Sequence, residues 1–139
     1  MAEECIFCKI AQHQGPASIV YEDSETLAFM DIAPVSKGHV LVIPKRHFVN
    51  IFDISDECAS AVMRTVRLLS PKIKEAMNAD GVNITNNSSL GHLPHFHVHI
   101  IPRFKNDGLA PWPRAQHSVE DINRFAASIK AAADSTAKL

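Results

Sequence analysis

The run of residues 95–103, HFHVHIIPR, constrains the fold of this chain more than any other stretch. Histidines alternate in it with apolar residues: His95, His97 and His99 against Phe96, Val98 and Ile100. Successive side chains of an extended strand point to opposite faces, so the apolar set can face a core while the histidines form a row on the other face. Solvent-facing strand positions usually carry Thr, Lys, Glu or Ser. We therefore interpret the row as functional.

Length and composition predict one domain, residues 1–139, with a core of its own. The net charge is −1, and 14 basic and 15 acidic residues are spread along the chain without a basic block. Binding to nucleic acid or to a membrane surface has no electrostatic support in such a sequence. No stretch approaches the about 18 apolar residues of a membrane-spanning helix, and the first residues do not resemble a secretory signal. We expect a cytoplasmic protein.

Hydrophobic periodicity predicts four strands, at 18–22, 26–32, 39–44 and 82–86, and the histidine run is the fifth. A long helix is predicted from the N-cap residue Ser55 towards Ala79, and Pro71 is expected to kink it or split it in two. A final helix follows Ser118. This order of elements indicates an α+β fold with a five-stranded antiparallel sheet, a long central helix and a C-terminal helix.

The geometry of a strand limits what the three histidines can do. The outer two lie about 13 Å apart in an extended strand, whereas zinc–nitrogen bonds are about 2 Å long. Three consecutive alternate histidines cannot share one metal ion unless the strand bends, so at least one is available for another role. A neutral imidazole carries a nucleophilic nitrogen and can attack phosphorus, while a second imidazole donates hydrogen bonds to the phosphate oxygens.

Three segments resemble the histidine triad (HIT) superfamily, in the same order along the chain. They are CIFCKI near the start, VYED…LAFMDIAPVSKGHVLVIPKRH, and HFHVHIIPR, which matches the signature His-x-His-x-His flanked by hydrophobic residues. The N-terminal C-x2-C pair and the chain length are similar to the Hint-like branch of small nucleotide-binding proteins rather than to the dinucleotide hydrolases of the Fhit type. The resemblance implies a HIT-like fold and a homodimer.

The resemblance also implies roles for individual residues. His97 matches the nucleophile that attacks an α-phosphorus, and His99 and His39 match the accompanying phosphate contacts. The residues that match the nucleoside and ribose-phosphate site are Ile6, Phe7, Asp31, Ile32 and Asn87.

One departure from the family pattern lies before the triad. The usual phosphate donor there is Gln, Ser or Thr in a longer loop, but the segment after Asn87 reads SSLGHLP. Ser89 and His92 are the alternatives for that donor.

A structural zinc site is a further implication of the resemblance. Relatives with the C-x2-C pair have a metal-binding histidine where this chain has His47, and His95 completes a Cys2His2 set with Cys5 and Cys8. Four protein ligands make a closed tetrahedral site, which stabilises the fold rather than performing chemistry. The alternative is that the metal has been lost and the two thiols simply pack in the core.

Three functions are compared. The first is a nucleotidyl hydrolase or transferase that acts on nucleoside phosphoramidates or on dinucleoside polyphosphates, with no catalytic metal. The second is a module that binds a purine nucleotide and turns over little. The third is an unrelated metal-dependent hydrolase or oxygenase, which needs an open metal position and usually a carboxylate ligand. No Asp or Glu lies within HFHVHIIPR, so the third is disfavoured.

Overall fold

The computed structural model describes residues 4–89 and 92–136. Its elements, in chain order, are α1 (Ile6–Ala11), β1 (Ile19–Glu22), β2 (Thr26–Met30), β3 (Val40–Pro44), α2 (Asp56–Ala76), β4 (Gly81–Thr85), β5 (Val98–Arg103) and α3 (Val119–Thr136). The five strands form one sheet in the order β1-β2-β3-β5-β4, and all neighbours are antiparallel. The predicted α+β fold with a five-stranded antiparallel sheet is confirmed, and α1 is an element that the sequence did not predict.

The chain divides into two compact units. The first, Met1–Asp107, contains the whole sheet with α1 and α2, and the second, Gly108–Leu139, contains α3. Ser118 caps α3, because its hydroxyl oxygen accepts a hydrogen bond from the amide of Asp121 at 3.1 Å. None of the helices described is long and apolar enough to cross a membrane.

The central strands β2 and β3 are covered on both faces. All five residues of β3 are buried, which explains its dense aliphatic run. On one face the sheet packs against α1 through Phe7, Cys8, Ile10, Leu27, Phe29, Leu41 and Ile43. On the other it packs against α2 through Ala28, Val40, Val42, Val62, Val66, Leu69, Phe96, Val98 and Ile100. The odd–even alternation along β2 and β3 therefore supplies two separate cores.

Helix α2 runs through Pro71 as one element, so the predicted split does not occur. Pro71 is exposed, and so is Arg67, whose carbonyl loses its helical donor to the proline ring. Water can satisfy that carbonyl, and the helix therefore continues. It ends at Ala76, a little before the predicted boundary, and Asn78 then adopts a left-handed conformation with φ 53°.

The histidine run enters the sheet later than predicted. Strand β5 begins at Val98, and only His99 of the three histidines pairs in the ladder, opposite Leu41 and Thr85. The preceding segment leaves the strand geometry where the amide of Phe96 donates to the carbonyl of Phe48 at 2.7 Å. Burial alternates along β5 as expected, but His95 and His97 are buried at 0% and 7% exposure rather than aligned on a solvent face. This bend allows neighbouring histidines to point to different sites.

Candidate functional site

His97 lies at one end of the sheet, in the bent segment before β5. Its Nδ1 is 2.7 Å from the carbonyl oxygen of His95. A carbonyl can only accept, so Nδ1 must carry the proton and donate. In the neutral ring Nε2 then holds the lone pair. His97 is therefore fixed in the tautomer whose Nε2 can act as a nucleophile or a base.

His39 and His99 form a second fixed pair. The amide of Val35 donates to His39 Nδ1 at 3.0 Å, so this nitrogen is the acceptor and Nε2 of the neutral ring carries the proton. His39 Nε2 lies 2.9 Å from His99 Nδ1 and therefore donates to it. The neutral ring of His99 must in turn hold its proton on Nε2. One backbone amide thus sets two tautomers and leaves His99 Nε2 as a hydrogen-bond donor.

Burial keeps this pair neutral. Desolvation lowers the pKa of His99 to about 4, with further lowering by the nearby His97 and His39 and an opposing effect of Asp31. Desolvation also lowers the pKa of His39, against the opposing charge of Asp31. At neutral pH both rings can donate hydrogen bonds, but neither can give up a proton, because a neutral imidazole is a very weak acid.

Asp31 follows β2 and continues its ladder, since its amide donates to the carbonyl of His39 at 3.0 Å. Its Oδ1 accepts from the amide of Ala33 at 2.8 Å, and its Oδ2 lies 3.5 Å from His39 Nε2. Asp31, His39 and His99 place ligand-type atoms within 4.8 Å of one another. A metal would need lone pairs on His39 Nε2 and His99 Nδ1, yet the amide of Val35 makes His39 Nε2 a donor. We read this group as a hydrogen-bonded relay rather than a metal site.

His97 and His99 line a cavity of about 690 Å³. The predicted residues Ile6, Phe7, Asp31 and Ile32 line it as well. Further lining residues that the sequence did not single out are Ile10, Pro16, Ala17, Ser18, Phe29, Met30, Leu41 and Leu93. Ile32 is 95% exposed and so stands at the rim of the cavity. A mostly apolar lining with a few polar side chains is typical of a site for a small organic ligand.

Asn87, Ser89 and His92 lie elsewhere. They line a second cavity of about 420 Å³ together with Val49, Asn50, Ser88, Leu93 and Pro94. Leu93 lines both cavities. His92 is close enough to lower the pKa of His99 by its charge. The structure thus separates the predicted substrate residues into two groups: Ile6, Phe7, Asp31 and Ile32 at the large cavity, and Asn87, Ser89 and His92 at the second cavity.

The structure brings together the four predicted metal ligands. The Sγ atoms of Cys5 and Cys8 lie 3.4 and 3.5 Å from His95 Nδ1, which is 3.2 Å from His47 Nδ1; Cys8 Sγ is also 3.2 Å from His47 Nδ1. A regular zinc tetrahedron has edges of about 3.3 Å between nitrogens and about 3.6 Å between nitrogen and sulfur. The set therefore fits a tetrahedral metal ion.

His95 is also oriented as a ligand should be. Its Nε2 lies 3.0 Å from the carbonyl oxygen of Pro44 and must donate to it, so Nδ1 offers a lone pair towards the two cysteines. Burial lowers the pKa of His95 to about 4, which keeps this nitrogen unprotonated. Helix α1 holds Cys8, while Cys5 is its N-cap. These four residues could hold a metal.

Phe7, between the two cysteines, connects the two sites. Its ring packs edge-on against His97 with centroids 5.3 Å apart and against His95 at 6.0 Å. One short helix therefore contributes both to the metal-ligand set and to the wall of the large cavity.

The fold and the site define a small α+β protein of the histidine triad class. A family model described as HIT domain matches residues 12–106, so the chain belongs to the HIT family, as the sequence predicted. It is 41% identical to protein hit of Bacillus subtilis over 92% of this chain and 93% of that protein. It is 38% identical to adenosine 5'-monophosphoramidase of Schizosaccharomyces pombe over 90% of this chain and 95% of that protein.

Solved structures agree with this assignment. A HIT family protein from Bacillus anthracis superposes with a TM-score of 0.85 at 39% identity, covering 95% of this chain and 99% of that one. A zinc-bound histidine triad family protein from Mycobacterium smegmatis superposes with a TM-score of 0.73 at 32% identity, covering 96% and 97% of the two chains. The HIT-like fold is thereby confirmed.

Proposed function

We propose that this protein is a purine nucleotide-binding nucleotidyl hydrolase or transferase that acts at the α-phosphate through a covalent nucleotidyl-His97. The most favoured reaction is hydrolysis of nucleoside phosphoramidates such as AMP-amides. The observation that carries the proposal is the hydrogen bond from His97 Nδ1 to the carbonyl of His95, which leaves the Nε2 lone pair for attack. The relative in Schizosaccharomyces pombe named as an adenosine 5'-monophosphoramidase supports the choice of substrate.

The reaction has two steps. In the first, His97 Nε2 bonds to the α-phosphorus, the bond from phosphorus to the amine nitrogen breaks, and the departing amine takes its proton from solvent. In the second, water attacks phosphorus, the bond to Nε2 breaks, and a proton returns to solvent. The products are AMP, the free amine and neutral His97. The carbonyl of His95 stabilises the positive charge on the ring while the intermediate exists, because it accepts from Nδ1.

His99 contacts the phosphate in this proposal, and His39 acts through His99 rather than by direct contact. His99 lines the cavity next to His97, with ring centroids 5.0 Å apart, and its Nε2–H is the donor fixed by the relay from Val35. A hydrogen bond to a phosphate oxygen becomes stronger as negative charge develops in the transition state. His39 acts one step further away, since its Nε2 is directed at His99.

The large cavity is the proposed nucleoside site. Ile6 and Phe7 supply apolar walls for a base, and Asp31 accepts hydrogen bonds from the ribose hydroxyls beside Ile32. We assign the second cavity to the phosphate and its leaving group: Asn87 faces the ribose-phosphate region there, and Ser89 and His92 lie on the leaving-group side. Ser89 and His92 remain the two alternatives for a phosphate donor there.

We propose that Cys5, Cys8, His47 and His95 hold one structural zinc ion per chain. The ligand-atom separations match a tetrahedron, and the zinc-bound relative from Mycobacterium smegmatis supports the choice of metal. Four protein ligands leave no open position, so zinc supplies stability rather than catalysis when bound. Metal analysis of protein purified without chelators should find about one equivalent of zinc, and less than about a tenth would contradict this assignment.

We further propose that the working form is a homodimer. Helix α3 has an exposed apolar stripe, with Val119 at 69%, Ile122 at 53%, Phe125 at 43% and Ile129 at 69% exposure. A contiguous apolar stripe is typical of a surface that another chain covers. Sedimentation equilibrium should give twice the chain mass at micromolar concentration, and a monomer well above that concentration would contradict the proposal.

A dinucleoside polyphosphate hydrolase is the alternative, and the second cavity favours it because the two cavities meet at Leu93. A binding module with little turnover is the other alternative. A kinetic screen of AMP and GMP phosphoramidates against diadenosine polyphosphates separates these functions. We expect turnover of the AMP-amide to be fastest and insensitive to brief EDTA treatment. Tight AMP binding without turnover of any substrate would favour the binding module.

A further inference from the structure

The main chain of His97 is held by a side chain from the neighbouring strand. The last register pair between β4 and β5 joins Thr85 to His99. One residue beyond it, Asn86 Nδ2 donates to the carbonyl oxygen of His97 at 2.8 Å. The side chain of Asn86 thus takes the place of a ladder hydrogen bond at the point where the ladder has stopped.

A second hydrogen bond fixes the amide of Asn86. Ser88 Oγ donates to Asn86 Oδ1 at 2.8 Å, and the same hydroxyl accepts from the amide of Ile51 at 3.0 Å. Turning the amide over would bring its oxygen against the carbonyl oxygen of His97, which is repulsive. Ile51 therefore fixes Ser88, Ser88 fixes Asn86, and Asn86 fixes the carbonyl of His97.

These contacts restrain His97 from two sides. The ring is held through Nδ1 by the carbonyl of His95, and the main chain is held through its carbonyl by Asn86. His97 precedes β5, so no ladder pair of the sheet includes it. Loss of the Asn86 donor would free the peptide group between His97 and Val98 and let the ring turn away from the line of attack. Asn86 is not among the described residues that line either cavity, so its route to the reaction is through His97.

We infer that Asn86 is a positioning residue for the nucleophile, and that Ser88 orients its amide. This inference rests on the proposed function, in which His97 attacks phosphorus. It assigns Asn86 and Ser88 a role in the rate of that step rather than in nucleotide affinity.

The test compares variants of the full chain in single-turnover reactions with an AMP-amide. Asn86→Asp keeps the shape and the acceptor for Ser88 but removes the donor, and Asn86→Ala removes both. Loss of the Asn86 donor should displace the nucleophile His97 slightly. Nucleotidyl-His97 should therefore form on the order of tenfold to a hundredfold more slowly. The dissociation constant of AMP should stay within about threefold of the wild-type value, because the contacts that bind the nucleotide equally in the ground state and the transition state are unchanged.

Variants of Ser88 test whether the orientation of the Asn86 amide affects the rate. Ser88→Ala leaves Asn86 able to donate but no longer fixed, so the rate should fall less than in Asn86→Ala. Ser88 lines the second cavity, so its variants are compared with each other: Ser88→Thr keeps the hydroxyl and should form nucleotidyl-His97 faster than Ser88→Ala. The matched control is Asn83→Ala, on the same strand, because the amide oxygen of Asn83 accepts from Arg103 Nη1 at 2.6 Å and its ladder partner is Ile101. This control should keep the wild-type rate.

The outcomes separate the inference from the proposed function. Formation of nucleotidyl-His97 at the wild-type rate in Asn86→Ala overturns the inference alone. So does a loss of AMP affinity as large as the loss of rate, because Asn86 would then contact the nucleotide. If the wild-type protein itself carries no nucleotide on His97 after quenching, the proposed function fails first. Should Asn86→Ala not fold, Ser88→Ala against Ser88→Thr still decides, since equal rates in these two overturn the inference.

Discussion

Replacing His99 by Asn should make the stability of the protein less dependent on pH. In the folded protein burial lowers the pKa of His99 to about 4, whereas the ordinary value is 6.5. Between these values the unfolded chain binds a proton at this position and the folded protein does not. Stability therefore rises with pH across the window from about 4 to 6.5 and is lost as pH falls through it.

The size of the effect follows from the two values. For one group with a pKa of 6.5 unfolded and about 4 folded, the linkage relation gives a loss of about 2 kcal/mol between pH 7 and pH 5. Partial exposure of His99 makes this an upper value. His39, whose pKa burial also lowers, loses its neighbour in the variant and can only reduce the pH dependence further.

The assay is urea unfolding of wild type and His99→Asn at pH 7 and pH 5, with the same zinc concentration throughout. The wild-type protein should lose up to about 2 kcal/mol more than the variant over this interval. Between pH 7 and pH 8.5 the imidazole of His99 is mostly neutral in both the folded and the unfolded state, so the two proteins should change almost equally, which serves as the internal control. Equal losses for the two proteins between pH 7 and pH 5 would refute the assignment of a buried neutral His99.

Three other substitutions probe the active site, the metal site and the fold. His97→Asn keeps the shape but removes the nucleophile, so turnover should fall by orders of magnitude while AMP still binds. His99→Asn should lose less turnover than His97→Asn. Nucleotide label trapped on another histidine after quenching contradicts this. Cys8→Ser should cost more free energy of unfolding, seen by calorimetry as a lower melting temperature, than free energy of AMP binding, measured by titration. The reason is that a closed metal site stabilises the fold. Gly38→Ala should destabilise by about 2 kcal/mol in urea unfolding, since Gly38 has φ +87° and an added Cβ would lie 2.8 Å from Met77 Sδ; wild-type stability would contradict the close packing.

Much of the fold could be predicted because local pattern and tertiary packing agree. The strands β2 and β3 read as apolar runs and are buried on both faces, and Ser55 begins α2 as its side chain predicts. Helix α1 was missed since it has only 6 residues, too few to show a hydrophobic period. Its stability comes from packing of Phe7, Ile10 and Ala11 on the sheet, which depends on residues distant in sequence.

The boundary of the histidine strand could not be predicted for a related reason. Alternation of residue types continues from His95 to Ile100, yet ladder pairing begins only at Val98. The hydrogen bond of Phe96 to Phe48 and that of Asn86 to His97 replace the ladder there, and both partners come from other parts of the chain. A pattern in sequence reports which side chains differ, but it does not report where the main chain finds its partners.

The carboxylate of Asp31 illustrates the same limit within the site. The histidine run contains no Asp or Glu, which argued against a metal-dependent enzyme, but the sheet brings Asp31 within 3.5 Å of His39. The short distance between Asp31 and His39 alone would again allow a metal-dependent enzyme. The tautomers decide against it, because the amide of Val35 makes His39 Nε2 a donor. Knowing which atom carries a proton is therefore as informative here as knowing which residues are neighbours.

The different roles of the three histidines follow from hydrogen-bond partners that the main chain supplies, carbonyl acceptors for His95 and His97 and the amide of Val35, through His39, for His99. His95 donates to the carbonyl of Pro44 and so offers Nδ1 to the cysteines, while His97 donates to the carbonyl of His95 and so keeps its lone pair on Nε2. His99 accepts from His39 and becomes a donor. Three identical side chains thus acquire three different roles from two tautomers, with Nε2 protonated in His95 and His99 and Nδ1 protonated in His97. His95 presents a nitrogen to the metal-ligand set with its ring, and it orients the proposed nucleophile with its carbonyl. A displacement of the ring should therefore also displace the nucleophile, and the reverse holds as well.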